Sequence, residues 1–128
     1  MNKQIIETVN APRPVGPYSQ AIRVDKFLFC SGQIAMNPET NEVLQSDVSS
    51  QARRVLDNLK AVIEAAGFQF ENIVKTTIFL RDMKDFSAVN EVYDSYLSKS
   101  KPARSTVAVS GLPKDVRVEI DAIAVLTS

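Results

Sequence analysis

Between Val48 and Ala66 the apolar residues Ala52, Val55, Leu56, Leu59, Val62, Ile63 and Ala66 recur at i, i+3, i+4 and i+7. One gapless stripe of this kind predicts an amphipathic helix. Asp47 or Ser46 can accept hydrogen bonds from its first N–H groups, Gly67 suits a left-handed residue beyond its end, and Lys60 with Glu64 adds a surface pair. A second helix is predicted over Lys84 to Leu97, where Phe86, Val89, Val92, Tyr93, Tyr96 and Leu97 share a face and Asp82 stands near the start.

The remaining segments carry strand periodicity. Ala21 to Val24 and Phe27 to Ile34 read as two strands joined by a turn at Asp25-Lys26. Phe27-Leu28-Phe29-Cys30 is apolar on both faces, which predicts a central strand covered on both sides. Met36 to Gln45 is a polar loop or irregular hairpin, and the β-branched run Ile73 to Leu80 is a further strand. Arg104 to Val109 and Val116 to Leu126 are the last two, split by the turn-like Ser110 to Asp115. Earlier, Pro12, Pro14, Gly16 and Pro17 fix an ordered loop that delivers Tyr18-Ser19-Gln20 to a set place. No repeat, low-complexity tract or long linker divides residues 1–128, so a single α+β domain is expected. Two helices can cover only one face of its sheet.

Parity in the final strands divides their side chains. Val116, Val118, Ile120, Ala122 and Ala124 point one way; Arg117, Glu119, Asp121, Ile123 and Val125 point the other. Arg104, Thr106 and Ala108 likewise separate from Ser105, Val107 and Val109. If the two polar sets share the helix-free face, Arg104, Thr106 and Glu119 converge. Ile123 and Val125 on that face suggest burial against another subunit, with the charged residues lining a cleft at the junction. A guanidinium can take a carboxylate through two parallel hydrogen bonds, and a partly desolvated glutamate can exchange a proton near neutral pH. Hydrolysis or tautomerisation of a small reactive carboxylic acid fits such a set. A cross-strand structural ion pair fits the same pattern, as a packed edge aromatic fits Tyr18.

Composition narrows the chemistry. The 128 residues contain no histidine or tryptophan and one cysteine, which excludes histidine triads, histidine-based ribonuclease chemistry, disulfide frameworks and Cys-x-x-Cys units. Cys30 lies in an apolar strand and reads as an inert hydrophobe. Fifteen Lys plus Arg balance fifteen Asp plus Glu, and no basic patch stands out, which argues against nucleic acid and anionic membranes. No apolar run approaches the ~18 residues of a membrane span and no signal-peptide pattern opens the chain, so a cytoplasmic protein is expected.

Gly16-Pro17-Tyr18-Ser19-Gln20-Ala21, Ser31-Gly32-Gln33-Ile34, Asn90-Glu91-Val92-Tyr93, Pro102-Ala103-Arg104-Ser105 and Leu112-Pro113-Lys114-Asp115-Val116 through Val118-Glu119-Ile120 occur in order along nearly the whole chain. Together these motifs resemble the RidA family, formerly YjgF, the reactive enamine/imine deaminases. The resemblance implies a chorismate-mutase-like α+β fold, with about six strands in a mixed sheet, two helices on one face, and a homotrimer whose sheets form a barrel with sites between subunits. It implies hydrolysis of 2-aminoacrylate/2-iminopropanoate and 2-iminobutanoate to 2-oxo acids and ammonia, without cofactor or metal. That activity protects pyridoxal-phosphate enzymes such as the dehydratases that release these imines, and it serves isoleucine synthesis or metabolite damage control.

Position by position, the resemblance gives Arg104 the substrate carboxylate and Glu119 the positioning and activation of water. Tyr18 lines the pocket, Ser31 and Gly32 form the wall near the reacting group, and Asn90 supports the structure of the site. Thr106 stands where close family members carry cysteine, so a backbone role survives there and a thiol role does not. Two other readings remain: a 2-oxo-acid-binding regulator without turnover, and an endoribonuclease or translation inhibitor, which the charge balance and missing histidine weaken.

Overall fold

The computed structural model describes residues 2–127. Its elements are β1 (Lys3–Ile6), β2 (Ala21–Val24), β3 (Phe27–Gln33), α1 (Val48–Ala65), β4 (Ile73–Leu80), α2 (Phe86–Leu97), β5 (Ala103–Ala108) and β6 (Val118–Val125). The six strands form one sheet in the order β1-β2-β3-β6-β4-β5. The last strand is therefore inserted between β3 and β4, antiparallel to both. Only β4 and β5 pair in parallel, and α2 supplies the crossover that a parallel neighbour requires.

Both predicted helices form where the apolar stripe places them. Asp47 caps α1, accepting from the Ser50 N–H at 2.8 Å, and Gly67 takes the left-handed conformation beyond its end at φ 83°. Val55, Leu56, Leu59, Val62 and Ile63 of α1 are fully buried against Leu28, Ile78, Ile120 and Ala124 of the sheet, with Val89 and Leu97 of α2 in the same core. The second helix begins at Phe86, because residues 83–85 form a tighter 3-10 turn in which the Asp82 carboxylate accepts from the Lys84 N–H.

Several expectations change. The edge strand β1 carries no strand signal in the sequence: it is four residues long with only Ile6 buried, too short and too polar to show alternation. Strand β3 is interior to the sheet, yet of Phe27 to Cys30 only Leu28 and Cys30 are covered; Phe27 and Phe29, on the other face, are 47% and 46% exposed and stack on one another. Strand β6 starts at Val118 because Lys114 and Asp115 both adopt positive φ in the preceding turn. Arg117 consequently does not extend the row of Glu119. Its guanidinium binds Asp85 at the start of α2 through two contacts, 2.7 and 3.2 Å, and its N–H donates to the Gln51 Oε1 of α1.

The helix-free face carries Phe27, Phe29, Ile123, Val125, Phe79 and Val107, since residues paired across a ladder point the same way. Phe27, Phe29 and Val107 are more than 40% exposed in the single chain.

Candidate active site

Arg104 lies on β5 opposite Thr76 of β4, and Thr76 is completely buried beneath α2. Paired residues share a face, so Arg104 points toward α2. There its Nη1 donates to the Asn90 Oδ1 at 2.7 Å, and the guanidinium lies 4.9 Å from the ring centre of Tyr93 and 5.7 Å from that of Phe86. The Tyr93 hydroxyl is in turn 2.7 Å from the Thr76 Oγ1, a buried bond that ties the ring to the sheet. Desolvation raises the Tyr93 pKa against the opposing influence of Thr76 and Arg104, so the ring stays neutral beneath the cation. One guanidinium nitrogen is thus occupied, and Arg104 remains solvent-exposed for an anion.

Glu119 lies on β6 opposite Phe79, on the helix-free face. Its carboxyl is half-buried, and desolvation first, then the neighbouring Asp121, raise its pKa above the ordinary 4.5. The β3–β6 register slips between Cys30 and Gln33, which brings Gly32 against this side chain. A Cβ at position 32 would collide with the Glu119 carboxylate, so glycine is the residue that permits the approach. Ser31 donates its hydroxyl to the Ser19 carbonyl at 2.5 Å and its N–H to the Gln20 carbonyl at 3.0 Å, which fastens the end of the proline loop to β3. Tyr18 follows in that loop, 52% exposed, with its hydroxyl 3.4 Å from the Val15 N–H. Tyr18 and Gly32 line a common pocket.

The expected convergence on one face does not occur within the chain. Arg104 and Thr106 pair with Thr76 and Ile78, which face the helices, whereas Glu119 and Asp121 pair with Phe79 and Thr77, which face away. Sequence parity separates the two sides of each strand but leaves open which side of one strand matches which side of another. The parallel register of β5 decides it. Arg104, Asn90 and Thr106 form one half of the predicted set; Glu119, Gly32, Ser31 and Tyr18 form the other. The Thr106 hydroxyl is buried without a hydrogen-bond partner among the described residues.

Sequence reasoning placed Tyr93 and Phe86 in the core stripe of α2 and missed their contact with Arg104. Thr76 gave no signal beyond its β-branched run, because a buried hydroxyl needs a partner that only the fold reveals. Gln20, 2% exposed, closes the Tyr18-Ser19-Gln20 run, where the sequence gives it no role. Its amide accepts from the Thr8 N–H and donates to the carbonyls of Thr8, Ala11 and Pro12, holding the proline loop. Cys30 is buried, and desolvation followed by Asp121 pushes its thiol up to about 12, which makes it unreactive at neutral pH. No group of acidic, cysteine or histidine side chains suited to a metal occurs among the described residues.

A family model described as Endoribonuclease L-PSP matches residues 8–126. The chain is 53% identical over 122 residues to a RutC family protein of Pyrococcus horikoshii, covering 95% of this chain and 97% of that one. It is 45% identical over 123 residues to a mouse protein named 2-iminobutanoate/2-iminopropanoate deaminase, covering 96% and 91%. Among solved structures, the YjgF gene product of E. coli superimposes with a TM-score of 0.91 at 48% identity, covering 97% and 99% of the two chains. E. coli TdcF with bound serine gives 0.92 at 45% identity, again covering 97% and 99%. Two helices packed on one face of a six-stranded mixed sheet, with the glycine, arginine and glutamate motifs in their expected order, agree with these matches, and the chain belongs to the RidA/YjgF family.

Proposed function

We propose that this protein hydrolyses 2-aminoacrylate/2-iminopropanoate and 2-iminobutanoate to 2-oxo acids and ammonia, at sites completed between copies of a homotrimer. The observation that carries this reading is the division of the site. A guanidinium braced by Asn90 and Tyr93 stands on one face, and a half-buried carboxyl of raised pKa stands on the other, beside an exposed apolar surface. Neither half suffices alone. Packing the apolar faces of several copies together buries Phe27, Phe29 and Val107 and brings Arg104 of one copy to Glu119, Gly32 and Tyr18 of the next.

In that cleft Arg104 holds the substrate carboxylate, which fixes the C=N carbon. The enamine form first takes a proton at its terminal carbon to become the imine. Water then adds to the imine carbon as the Glu119 carboxylate accepts its proton and passes it to nitrogen, giving the carbinolamine; Glu119 next takes the hydroxyl proton and delivers it to the amine, so that the C–N bond breaks, ammonia leaves, and the oxygen closes to the carbonyl of the 2-oxo acid. The raised pKa suits a group that must both take and return a proton. Ser31 and Gly32 form the wall that positions Glu119, Tyr18 lines the opening, and Asn90 and Thr106 shape the arginine side. The substrate is reactive enough to require no cofactor, and its sources are pyridoxal-phosphate dehydratases in the cytoplasm. Isoleucine synthesis and protection of those enzymes are the processes served.

Purified protein added to a threonine dehydratase reaction containing semicarbazide should lower the fraction of imine trapped. An unchanged fraction at every dose, or an undiminished effect in Arg104→Ala, would sink the proposal. A second reading, a regulator that binds a 2-oxo acid without turnover, is favoured by the serine held by a relative of 45% identity. Saturable 2-oxobutanoate binding without acceleration of imine loss would select it. The endoribonuclease description carried by the family model is disfavoured here by fifteen cationic residues balanced by fifteen anionic ones and by the missing histidine.

A further inference from the structure

The pocket that Tyr18 and Gly32 share has a volume of about 100 Å³, room for roughly three water molecules, and lies between the proline loop, the end of β3 and the turn before β6. Three of its lining residues have no part in the mechanism above: Arg13, Gln33 and Lys114. Gln33, only 6% exposed as a residue, stands at the pocket wall. Gln20, the other glutamine lining the pocket, has both of its amide atoms taken by loop backbone. A glutamine amide at a pocket wall can donate to a group that enters the pocket.

Two cations flank this amide. Arg13 is anchored through its backbone, with its N–H donating to the Asn41 Oδ1 at 3.1 Å and its carbonyl accepting from the Asn41 Nδ2 at 3.3 Å, while its guanidinium makes no ion pair among the described residues. Lys114 is held at φ 54° in the turn, and its ammonium is likewise without an ion pair. No carboxylate among the described residues lines the pocket. Two cations and an amide around a space of this size suit a small anionic group, a carboxylate above all.

Gly32 connects this pocket to the reacting centre, for its backbone lines the pocket while its α-carbon abuts the Glu119 carboxyl. We infer that the pocket is a subsite for the far end of the substrate, and that the imines this protein takes include those whose side chain ends in a second carboxylate. The inference rests on the deaminase reading for its placement beside Glu119 and names the substrate class within it. The first carboxylate goes to Arg104; the second goes to Arg13, Lys114 and the Gln33 amide.

Titration calorimetry with the full-length protein tests this using two stable 2-oxo acids of equal chain length, 2-oxoglutarate and 2-oxopentanoate, which differ only in the terminal carboxylate. 2-Oxoglutarate should bind about tenfold more tightly at low ionic strength, and the advantage should shrink with added salt because the cations are exposed. In the Arg13→Ala/Lys114→Asn double variant, where asparagine tolerates the left-handed backbone at position 114, the ratio of the two affinities should fall to about one. Equal affinities in the unmodified protein, a preference that survives the double variant, or no measurable binding of either acid would overturn the subsite. Neither ligand needs to be turned over. A preference found without imine hydrolysis therefore refutes the deaminase reading and leaves the subsite, while hydrolysis without a preference does the reverse.

Discussion

Arg104 donates to Asn90 across 2.7 Å, from the edge strand of the sheet to the middle of the helix that covers it. The contact fixes the direction of the guanidinium, and the Tyr93 ring beneath it limits tilting. Asn90→Ala should therefore leave the fold intact and let the arginine wander. A charge-assisted hydrogen bond at a partly exposed position contributes about 1 kcal/mol, so 2-oxobutanoate affinity should fall about fivefold. The same variant should raise KM for the imine more than it lowers kcat, since Asn90 touches neither water nor the C=N bond. Calorimetry and initial rates check both, and unchanged affinity would show that the arginine holds its place without Asn90.

Gly32→Ala probes the close approach of β3 to Glu119. The added methyl group meets the far end of a flexible side chain rather than backbone, so Glu119 can swing aside at a stability cost of about 1 kcal/mol. The carboxyl is then out of position. Hydrolysis should fall about a hundredfold or more while the urea midpoint moves little; a variant with normal turnover would remove Glu119 from the mechanism.

Burial and Asp121 raise the Glu119 pKa above 4.5, and this makes a statement about stability as well as rate. Between the unfolded value and the higher folded value the native state binds more protons, so its stability declines as pH rises through that window. The ionised carboxylate is then a burden on the native state at neutral pH. Glu119→Gln should be more resistant to urea than the parent at pH 7, and the difference should vanish below the ordinary glutamate pKa. Turnover in the parent should fall on acidification through the raised pKa, as the proton acceptor is lost, and that limb should be absent from the residual activity of Glu119→Gln. A variant less stable than the parent at pH 7 would contradict the sign.

Phe29, 46% exposed and stacked on Phe27, sits near the middle of the helix-free face. Its replacement by aspartate changes no contact with the helices and places a charge where the proposed interface needs apolar surface. Sedimentation equilibrium should give a trimer for the parent and a monomer for Phe29→Asp. Imine hydrolysis should disappear along with the trimer. A monomeric parent, or an active monomeric variant, would remove the intersubunit site.

Much of this protein is determined locally and can be read from the chain alone. The 3.6-residue stripe from Ala52 to Ala66 specifies a helix because only that period puts all of its apolar side chains on one side, and the alternation from Val118 to Val125 specifies a strand for the same reason. Asp47 and Gly67 mark the ends of α1 through hydrogen bonding and backbone freedom that reach no farther than a few residues. The motifs around Gly32, Arg104 and Glu119 point to the family, and the count of no histidine and one cysteine leaves acid and base work to Asp, Glu, Tyr, Lys, the one thiol, backbone groups or water. The relation between strands, by contrast, is nonlocal. Whether Arg104 shares a face with Glu119 depends on β5 pairing in parallel with β4 and on β6 lying between β3 and β4, and strand parity carries no information about either. The Thr76–Tyr93 bond under the arginine, the Asp85–Arg117 pair and the pocket shared by Arg13, Gln33 and Lys114 are likewise meetings of residues distant along the chain. Their side chains carry the same donors and acceptors in any fold, and only tertiary packing decides which are satisfied, which are left facing a pocket, and on which side of the sheet each one stands.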